Sequence, residues 1–393
     1  MIVILYPQFY GVAGIARYLD SFLANLPEGA PPMVMVTGDA PAAGQAVRHY
    51  PGVEIVHIPL GRTRFGLTRW SWRARRVLAE LDRSTPITAV ALHIPPMIPG
   101  LLLARRFPLV LTAHTTYEGM SGRFDGNRHF SSPWNPVSLW IKRWMEQRLI
   151  DRAERIITLT EQGRQELALY GRHERIEVVP NGVDCRQFTP VAVAEAEAAA
   201  EPAVKDIDVL FAGRIEQRKG SRPLVAVCRG LVAANPQLRI TIVGYGDDEA
   251  HVRQGLADLS GAVTMLGKQP FEAMAGLYRR AHVYASTSYY EGLPGTCLEA
   301  MAAGLPAVVW DLLFYRGLVL PGRTGLLIPV NDADALVHGL LDLLQDPARM
   351  RAMGQHAQAL VQARYDWRRL AGQVLGAHAL PLAGPALPGE VAA

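Results

Sequence analysis

Residues 211–221 read FAGRIEQRKGS. The preceding run Ile207–Ala212 is short and rich in branched and aromatic side chains, as a strand is. Gly213 ends it, a basic loop with Arg214 and Lys219 follows, and Ser221 with Pro223 opens a segment of helical period. The same unit recurs on both sides. Upstream, apolar runs at Ile2–Tyr6, Met33–Thr37, Val53–Ile58, Ile87–His93, Leu109–Ala113, Arg155–Thr160 and Arg175–Pro180 alternate with helix-like stretches such as Gly14–Leu26, Arg69–Leu81 and Val137–Ala153. Downstream, Leu238–Val243, Ala262–Leu266, His282–Thr287, Pro306–Trp310 and Gly325–Pro329 do the same. Strand–helix alternation predicts α/β architecture with parallel sheets and helices on both faces.

The two series are separated by VAVAEAEAAAEPAVK, Val191–Lys205, an Ala/Glu run ended by Pro202 that reads as a connector. Two doubly wound Rossmann-like domains facing a cleft are therefore expected, an N-terminal one over 1–190 and a C-terminal one over 205–365. A C-terminal helix over 366–380 packing back on the first domain and a disordered tail over 381–393 complete the division. With 393 residues, 49% hydrophobic and 19% charged, the chain has ample material for such cores. The longest purely apolar runs are about five residues, against roughly 20 for a membrane span. The start, MIVILYPQFY, has no basic leader and reads as a first strand, not a signal peptide. Cys185, Cys228 and Cys297 have neither disulfide nor zinc spacing, which fits a reducing, cytoplasmic setting. No HExxH pattern occurs, so a metal site has no support.

Net charge is +4, unevenly spread: residues 1–190 hold 22 basic and 16 acidic side chains, residues 191–393 hold 18 and 20. The basic half suits an anionic partner such as a lipid surface or nucleic acid, or reflects only a preference for Arg. Lysine is rare, at 142, 205, 219 and 268. Arg214 and Lys219 thus stand out beside a helix start, where free N–H groups and the dipole favour an anion; two cations there suit a diphosphate. The GxxxxGK[ST] spacing of a Walker loop is absent.

A second motif is YYEGLPGTCLEAMAAGLPAVV, Tyr289–Val309. Glu291 lies in a Gly/Pro loop after a strand. Glu299, with seven residues between the two, falls in the first turn of a helix. A carboxylate there can accept from two vicinal hydroxyls, as a ribose offers, but Thr296-x-x-Glu299 also matches a capping box. Gly292 and Gly295 would let backbone approach a sugar or phosphate closely. GVAGIARY, Gly11–Tyr18, is a glycine turn into a helix, and LTAHTTY places His114 at a strand end, facing the cleft. Gly244-Tyr245-Gly246 lacks the third glycine of a dinucleotide fingerprint. Asp206-Ile-Asp208 precedes its strand, so it reads as a strand entry, not a metal-holding DxD, and Asp332 reads as a helix N-cap.

Together these motifs resemble the retaining glycosyltransferases of family 4, which have the GT-B fold. The resemblance runs in order through AGIARY, LTAH, LTEQGRQEL, VVPNGVD, FAGRIEQRKG, IVGYGD, VTMLGKQP, EGLPGTCLEAMAAGLPAVV and GRTGLLIPVND. It implies that the domain over 1–190 binds the acceptor and the one over 205–365 the nucleotide sugar, with Gly14 by the donor diphosphate, His114 near the transferred sugar, and Arg214 with Lys219 on the diphosphate. It further implies Glu291 on the sugar hydroxyls, with Gly292, Leu293 and Gly295 alongside, and Glu299 on the ribose. His114 and Glu291 would then be the catalytic pair. The usual first glycine of the Gly-Gly turn is Ala13 here. Asp311–Gly317, DLLFYRG, carries Arg316 where many relatives have a glycine-rich stretch.

The implied activity is metal-independent transfer of a hexose from a UDP- or GDP-sugar to a hydroxyl acceptor, a lipid-linked saccharide or glycolipid precursor. It would proceed with retention, by front-face substitution and without a cofactor. The alternatives are a nucleotide-sugar epimerase on the same fold and a non-catalytic sugar-nucleotide-binding module. No nucleic acid is expected. Residues 61–76, GRTRFGLTRWSWRARR, hold Arg62, Arg64, Arg69, Arg73, Arg75 and Arg76 interleaved with Phe65, Leu67, Trp70 and Trp72, with no acidic residue. Such a segment can lie on an anionic bilayer with its rings at the headgroups, or form a solvated helix face with Trp packed inward. The first reading makes the protein peripheral at the inner face of the membrane.

Overall fold

The computed structural model describes residues 1–11, 14–41, 47–61, 66–95, 106–122, 124, 129–130, 134–171, 173–188 and 206–379. The connector 191–205, the tail 381–393, Ala13, and Arg62, Arg64 and Phe65 lie outside them.

Seven strands make the first sheet: β1 Ile2–Leu5, β2 Met33–Thr37, β3 Val53–His57, β4 Ala89–Ile94, β5 Leu109–Ala113, β6 Arg155–Thr158 and β7 Ile176–Val178. Six make the second: β8 Ile207–Ala212, β9 Ile240–Val243, β10 Val263–Gly267, β11 Ala281–Ser286, β12 Ala307–Trp310 and β13 Gly325–Ile328. The orders are β3-β2-β1-β4-β5-β6-β7 and β10-β9-β8-β11-β12-β13. Every pairing is parallel. The central strands β1 and β4 are buried along their whole length, which is why they read as unbroken apolar runs and not as alternation.

Both orders reverse direction once, between β1 and β4 and between β8 and β11. Right-handed crossovers put helices made before and after the reversal on opposite faces. In the first domain, Tyr18, Leu19 and Phe22 of the helix Gly14–Ala24 join one core cluster. Trp70, Ala74 and Leu78 of the helix Gly66–Ser84 and Leu139, Leu149 and Ile150 of the helix Pro136–Arg152 join another. The C-terminal helix Trp367–His378 adds Trp367, Leu370 and Val374 to the cluster of the first helix, so the last element of the chain packs on the first domain.

The crossing back is tight. Val183 N–H donates to the Tyr365 carbonyl at 2.8 Å, and Trp367 N–H donates to the Val183 carbonyl at 3.2 Å. A Cβ on Gly182 would meet the Trp367 ring, so only glycine fits there. Asp332 accepts from Ala335 N–H at 2.9 Å and caps its helix. Asp206 pairs with Arg280, and Asp208 with Arg239 at 3.0 Å, at the entry to β8. That is the end of the sheet away from the reversal loops, and the two aspartates brace strand edges there. Cys185, Cys228 and Cys297 are all buried free thiols.

Candidate functional site

The reversal points open at the carboxyl ends of the strands, where doubly wound sheets take ligands. After β8 come Gly213, Arg214 and a turn of 3-10 helix ending at Lys219; after β11 come Thr287–Glu291. These loops line one pocket with Ala212, Ile215, Val243 and Ser286. They are locked together by Gly220. Its φ is 73°, in the left-handed region, and a Cβ would strike the Thr287 carbonyl. Thr287 Oγ1 donates to the Gly220 carbonyl at 3.0 Å, and Trp310 Nε1 donates to the Thr287 carbonyl at 3.0 Å. Gly220 is also the N-cap of the helix Ser221–Ala234, so no side chain caps that terminus. Of its first-turn N–H groups, that of Ser221 donates to the Glu216 carbonyl at 3.4 Å and Pro223 has none, which leaves the Arg222 N–H and the helix dipole to favour an anion.

Lys219 Nζ donates to Glu291 Oε2 in a largely buried ion pair. Ser288 Oγ donates to the other carboxylate oxygen at 3.0 Å. Burial pulls the Lys219 pKa below its ordinary value, while Glu291 opposes this. Arg214 is half exposed. Its Nε lies 3.4 Å from Glu216, and its guanidinium stands 5.4 Å from the Tyr245 ring centroid. Lys268 stands 5.3 Å from the same ring. Arg218 is held away by Glu216 at 2.6 Å and the Tyr290 carbonyl at 3.3 Å.

Glu299 is buried in the helix Gly295–Ala302, and the capping-box alternative does not form. The N-cap is Pro294 with no side-chain bond, and Thr296 Oγ1 pairs instead with the Tyr284 hydroxyl at 2.9 Å. Glu299 accepts from the Tyr278 hydroxyl at 2.9 Å. Its second oxygen lies 3.3 Å from Arg17, which reaches over from the first domain and stacks 3.9 Å from the Phe271 centroid. Burial raises its pKa, against Arg17 and Tyr278. Since Glu299 caps nothing and Gln keeps an acceptor for the Tyr278 hydroxyl, Glu299→Gln is expected to lower the melting temperature by a few degrees at most, through the lost pair with Arg17. Nucleotide affinity should fall about tenfold or more, the scale of one charge-assisted hydrogen bond. Thermal melts with nucleotide titration check this; a lowered melting temperature with unchanged affinity reverses the assignment.

His114 corrects an expectation. Its ring does not face an open cleft; it is buried, 3.0 Å from His93 Nδ1 and edge-on to Tyr18 at 4.8 Å. The strand end brings the His114 carbonyl, not the ring, against the second domain: a Cβ on Gly292 would collide with it. Gly292 is thus required by protein backbone rather than by a ligand. Gly14 and Gly295 have open space around them. Leu293 packs against core residues of both domains. Arg316 pairs with Asp311 at 2.8 Å.

Several members of the interdomain contact lie inside motifs already quoted, but nothing in the local pattern marked their role. Tyr290, next to Glu291, donates to Glu166 Oε2 of the first domain at 3.0 Å. Thr116 Oγ1 donates to the same oxygen, and Gln162 donates to Oε1 at 2.8 Å. Nearby, Glu146 accepts from Tyr117 N–H at 3.0 Å and from the Tyr170 hydroxyl at 2.5 Å. Burial pushes the Glu166 pKa up to about 7 and that of Glu146 to about 8. Arg17 was legible only as part of the AGIARY motif.

Burial also holds His93 neutral and lowers the pKa values of His114 to about 3 and His378 to about 4. Below about pH 6.5 the unfolded chain binds protons that these histidines refuse, a loss of about 1.4 kcal/mol per pH unit for each. Glu146 and Glu166 act oppositely, because the folded chain protonates them first, down to the ordinary carboxylate value near 4.5. The melting temperature is therefore expected to vary little between pH 7 and 5 and to fall steeply below about pH 4.5. A scan of melting temperature against pH checks it; a steep fall already complete by pH 5.5 would contradict these directions.

Comparison with known proteins bears on the whole arrangement. The family model "Glycosyltransferase Family 4" matches residues 12–187, and "Glycosyl transferases group 1" matches residues 193–360. The GDP-mannose-dependent monoacylated alpha-(1-6)-phosphatidylinositol monomannoside mannosyltransferase of Corynebacterium glutamicum is 32% identical over 50% of this chain and 54% of its own. The D-inositol 3-phosphate glycosyltransferase of Kribbella flavida is 30% identical over 71% of this chain and 68% of its own. The chain spans about half to two thirds of the length of the curated relatives it matches. Anabaena HepE, solved with UDP and glucose, superposes with a TM-score of 0.74 at 17% identity, covering 95% of this chain and 98% of that one. Two parallel sheets meeting at their reversal loops, each half matched by its own family model, make this chain a member of the group 1 glycosyl transferases with the GT-B fold.

Proposed function

We propose that the protein is a retaining glycosyltransferase moving a hexose from a nucleotide-diphosphate sugar to a hydroxyl of a lipid-linked saccharide or glycolipid. The observation that carries this is the Lys219–Glu291 pair beside an uncapped helix start, abutting the other domain at Gly292 and His114. Lys219, Arg214 and the helix terminus stabilise the negative charge that develops as the bond from sugar C1 to the phosphate oxygen breaks. The acceptor oxygen bonds to C1 on the same face, and the departing phosphate takes its proton. Glu291 offers its oxygens to sugar hydroxyls, and Glu299, steadied by Tyr278, takes the ribose in place of Arg17. Gly14 opens the helix beside the diphosphate. Domain closure excludes water and limits hydrolysis.

The donor is a UDP- or GDP-hexose, a reading supported by the UDP named for the HepE structure and the GDP-mannose named for the Corynebacterium relative. Transfer needs no metal or other cofactor. Asp206 and Asp208 are already engaged by arginines, at the end of β8 away from the site. Among those residues no helix is long and apolar enough to cross a membrane. The helix Gly66–Ser84 exposes Arg69, Trp72, Arg73, Arg75 and Arg76, while Trp70 is buried in the core and takes no part. We place the protein in the cytoplasm, at the inner face of an anionic membrane, by this surface.

Purified protein assayed with UDP-, GDP- and ADP-sugars, with inositol-containing and lipid-linked acceptors, tests the reading. Acceptor-dependent nucleoside diphosphate release, a product with the donor's anomeric configuration and full turnover in excess EDTA are expected. Donor conversion without acceptor would indicate an epimerase, and binding without turnover a sugar-nucleotide module. Turnover lost on chelation and restored by manganese would return Asp206 and Asp208 to consideration.

A further inference from the structure

The helix Pro136–Arg152 is apolar on two faces. Asn135 accepts from Ser138 N–H at 2.8 Å, and Pro136 fills the first turn, so the start and rotation of the helix are set. Leu139, Leu149 and Ile150 go into the core. Val137, Trp140, Ile141 and Trp144, spaced as one stripe, point the other way and are 68%, 67%, 44% and 48% exposed. A contiguous apolar stripe is unusual on a protein that only meets water. Among the described residues, the exposed tryptophans are these two and Trp72 of Gly66–Ser84. Both helices share one core cluster and so lie on the same face of the first sheet.

Charge identifies the occupant. The Arg148 guanidinium stands 5.2 Å from the Trp144 ring, and that of Arg75 stands 5.9 Å from Trp72. Arg69, Arg73 and Arg76 are exposed beside Trp72. Acidic residues on these helices are Glu80 and Asp82 in the second half of one, and buried Glu146 and terminal Asp151 in the other. A second copy docked by two-fold symmetry would bring the arginines against themselves. An anionic bilayer takes the rings at its headgroups and the guanidinium groups at its phosphates.

We propose that the outer face of Pro136–Arg152 docks on an anionic membrane, inserting Trp140, Ile141 and Trp144 at the headgroup level. This deepens the membrane reading above but rests on different residues. The test uses the full chain and sucrose-loaded vesicles of phosphatidylcholine with phosphatidylglycerol, without donor or acceptor. Wild type should sediment with anionic vesicles at low salt. Trp140→Glu/Ile141→Glu/Trp144→Glu should lower the partition coefficient about tenfold or more at unchanged melting temperature, since these side chains are exposed. Trp140→Phe/Trp144→Phe should keep most binding but lose most fluorescence quenching by brominated lipid. If the glutamate variant binds like wild type while Arg69→Glu/Arg73→Glu/Arg76→Glu does not, the inference falls and the basic-helix reading stands. Failure of wild type to bind overturns both membrane readings and leaves transfer to be judged on its own assay. A dimer that the glutamate variant turns into monomer, seen by analytical ultracentrifugation, overturns the inference in favour of a second copy.

Discussion

Replacing Lys219 with alanine is expected to lower kcat about 100- to 1000-fold, because one charge-assisted donor to a departing oxyanion is worth about 3–4 kcal/mol in a water-excluded site. Lys219 sits at the end of the loop after β8, largely buried, beside the uncapped start of Ser221–Ala234. Arg214→Ala should do less, about 10- to 30-fold, because its guanidinium is half exposed and solvent competes for the same charge. The lysine variant also strands Glu291 without its cation, and breaking a buried pair destabilises by about 3–5 kcal/mol at full burial. Lys219→Ala combined with Glu291→Gln isolates the stability effect: the melting temperature should return, while turnover stays low because both residues belong to the proposed donor site. Steady-state kinetics with thermal melts decide this, and turnover within threefold of wild type in Lys219→Ala removes the lysine from the leaving-group site.

Gly292→Ala is expected to lower kcat about 100-fold, the order that a displacement of about 1 Å costs an aligned site. The added methyl collides with the His114 carbonyl and also meets the Thr115 side chain, so the loop from Tyr289 to Gly295 must give way. That loop carries Glu291, paired to Lys219, and Leu293, wedged against the cores of both domains. Overpacking of this kind also destabilises by about 1–3 kcal/mol. Gly295→Ala meets open space and should leave the melting temperature unchanged, any loss appearing in donor affinity alone. Equal activity and stability of Gly292→Ala and wild type would mean that the two domains do not meet at this point in solution.

Strand-forming runs, the glycine and proline breaks between them and the chemistry of a loop are local properties. The sequence by itself therefore determined the two parallel sheets, the placing of Arg214 and Lys219 after β8, and the spacing of Glu291 and Glu299. It also separated the Asp206 and Asp208 strand entry from the cleft, because those residues stand at the start of the apolar run and not after it. Whatever depends on what lies opposite was decided by the tertiary structure alone. The capping pattern at Thr296 and Glu299 is a valid local signal, yet Tyr284 and Arg17 take those side chains, and Arg17 arrives only because the first domain packs there. A histidine at a strand end turned out to present its carbonyl to the neighbouring domain, since His93 and Tyr18 hold its ring inside. Helical periodicity marked Val137–Ala153, the helix Pro136–Arg152 of the structure, but could not choose its buried face, because apolar residues occupy two. Leu139, Leu149 and Ile150 went inward since they match the core of the first sheet, and Trp140 and Trp144 were left facing out.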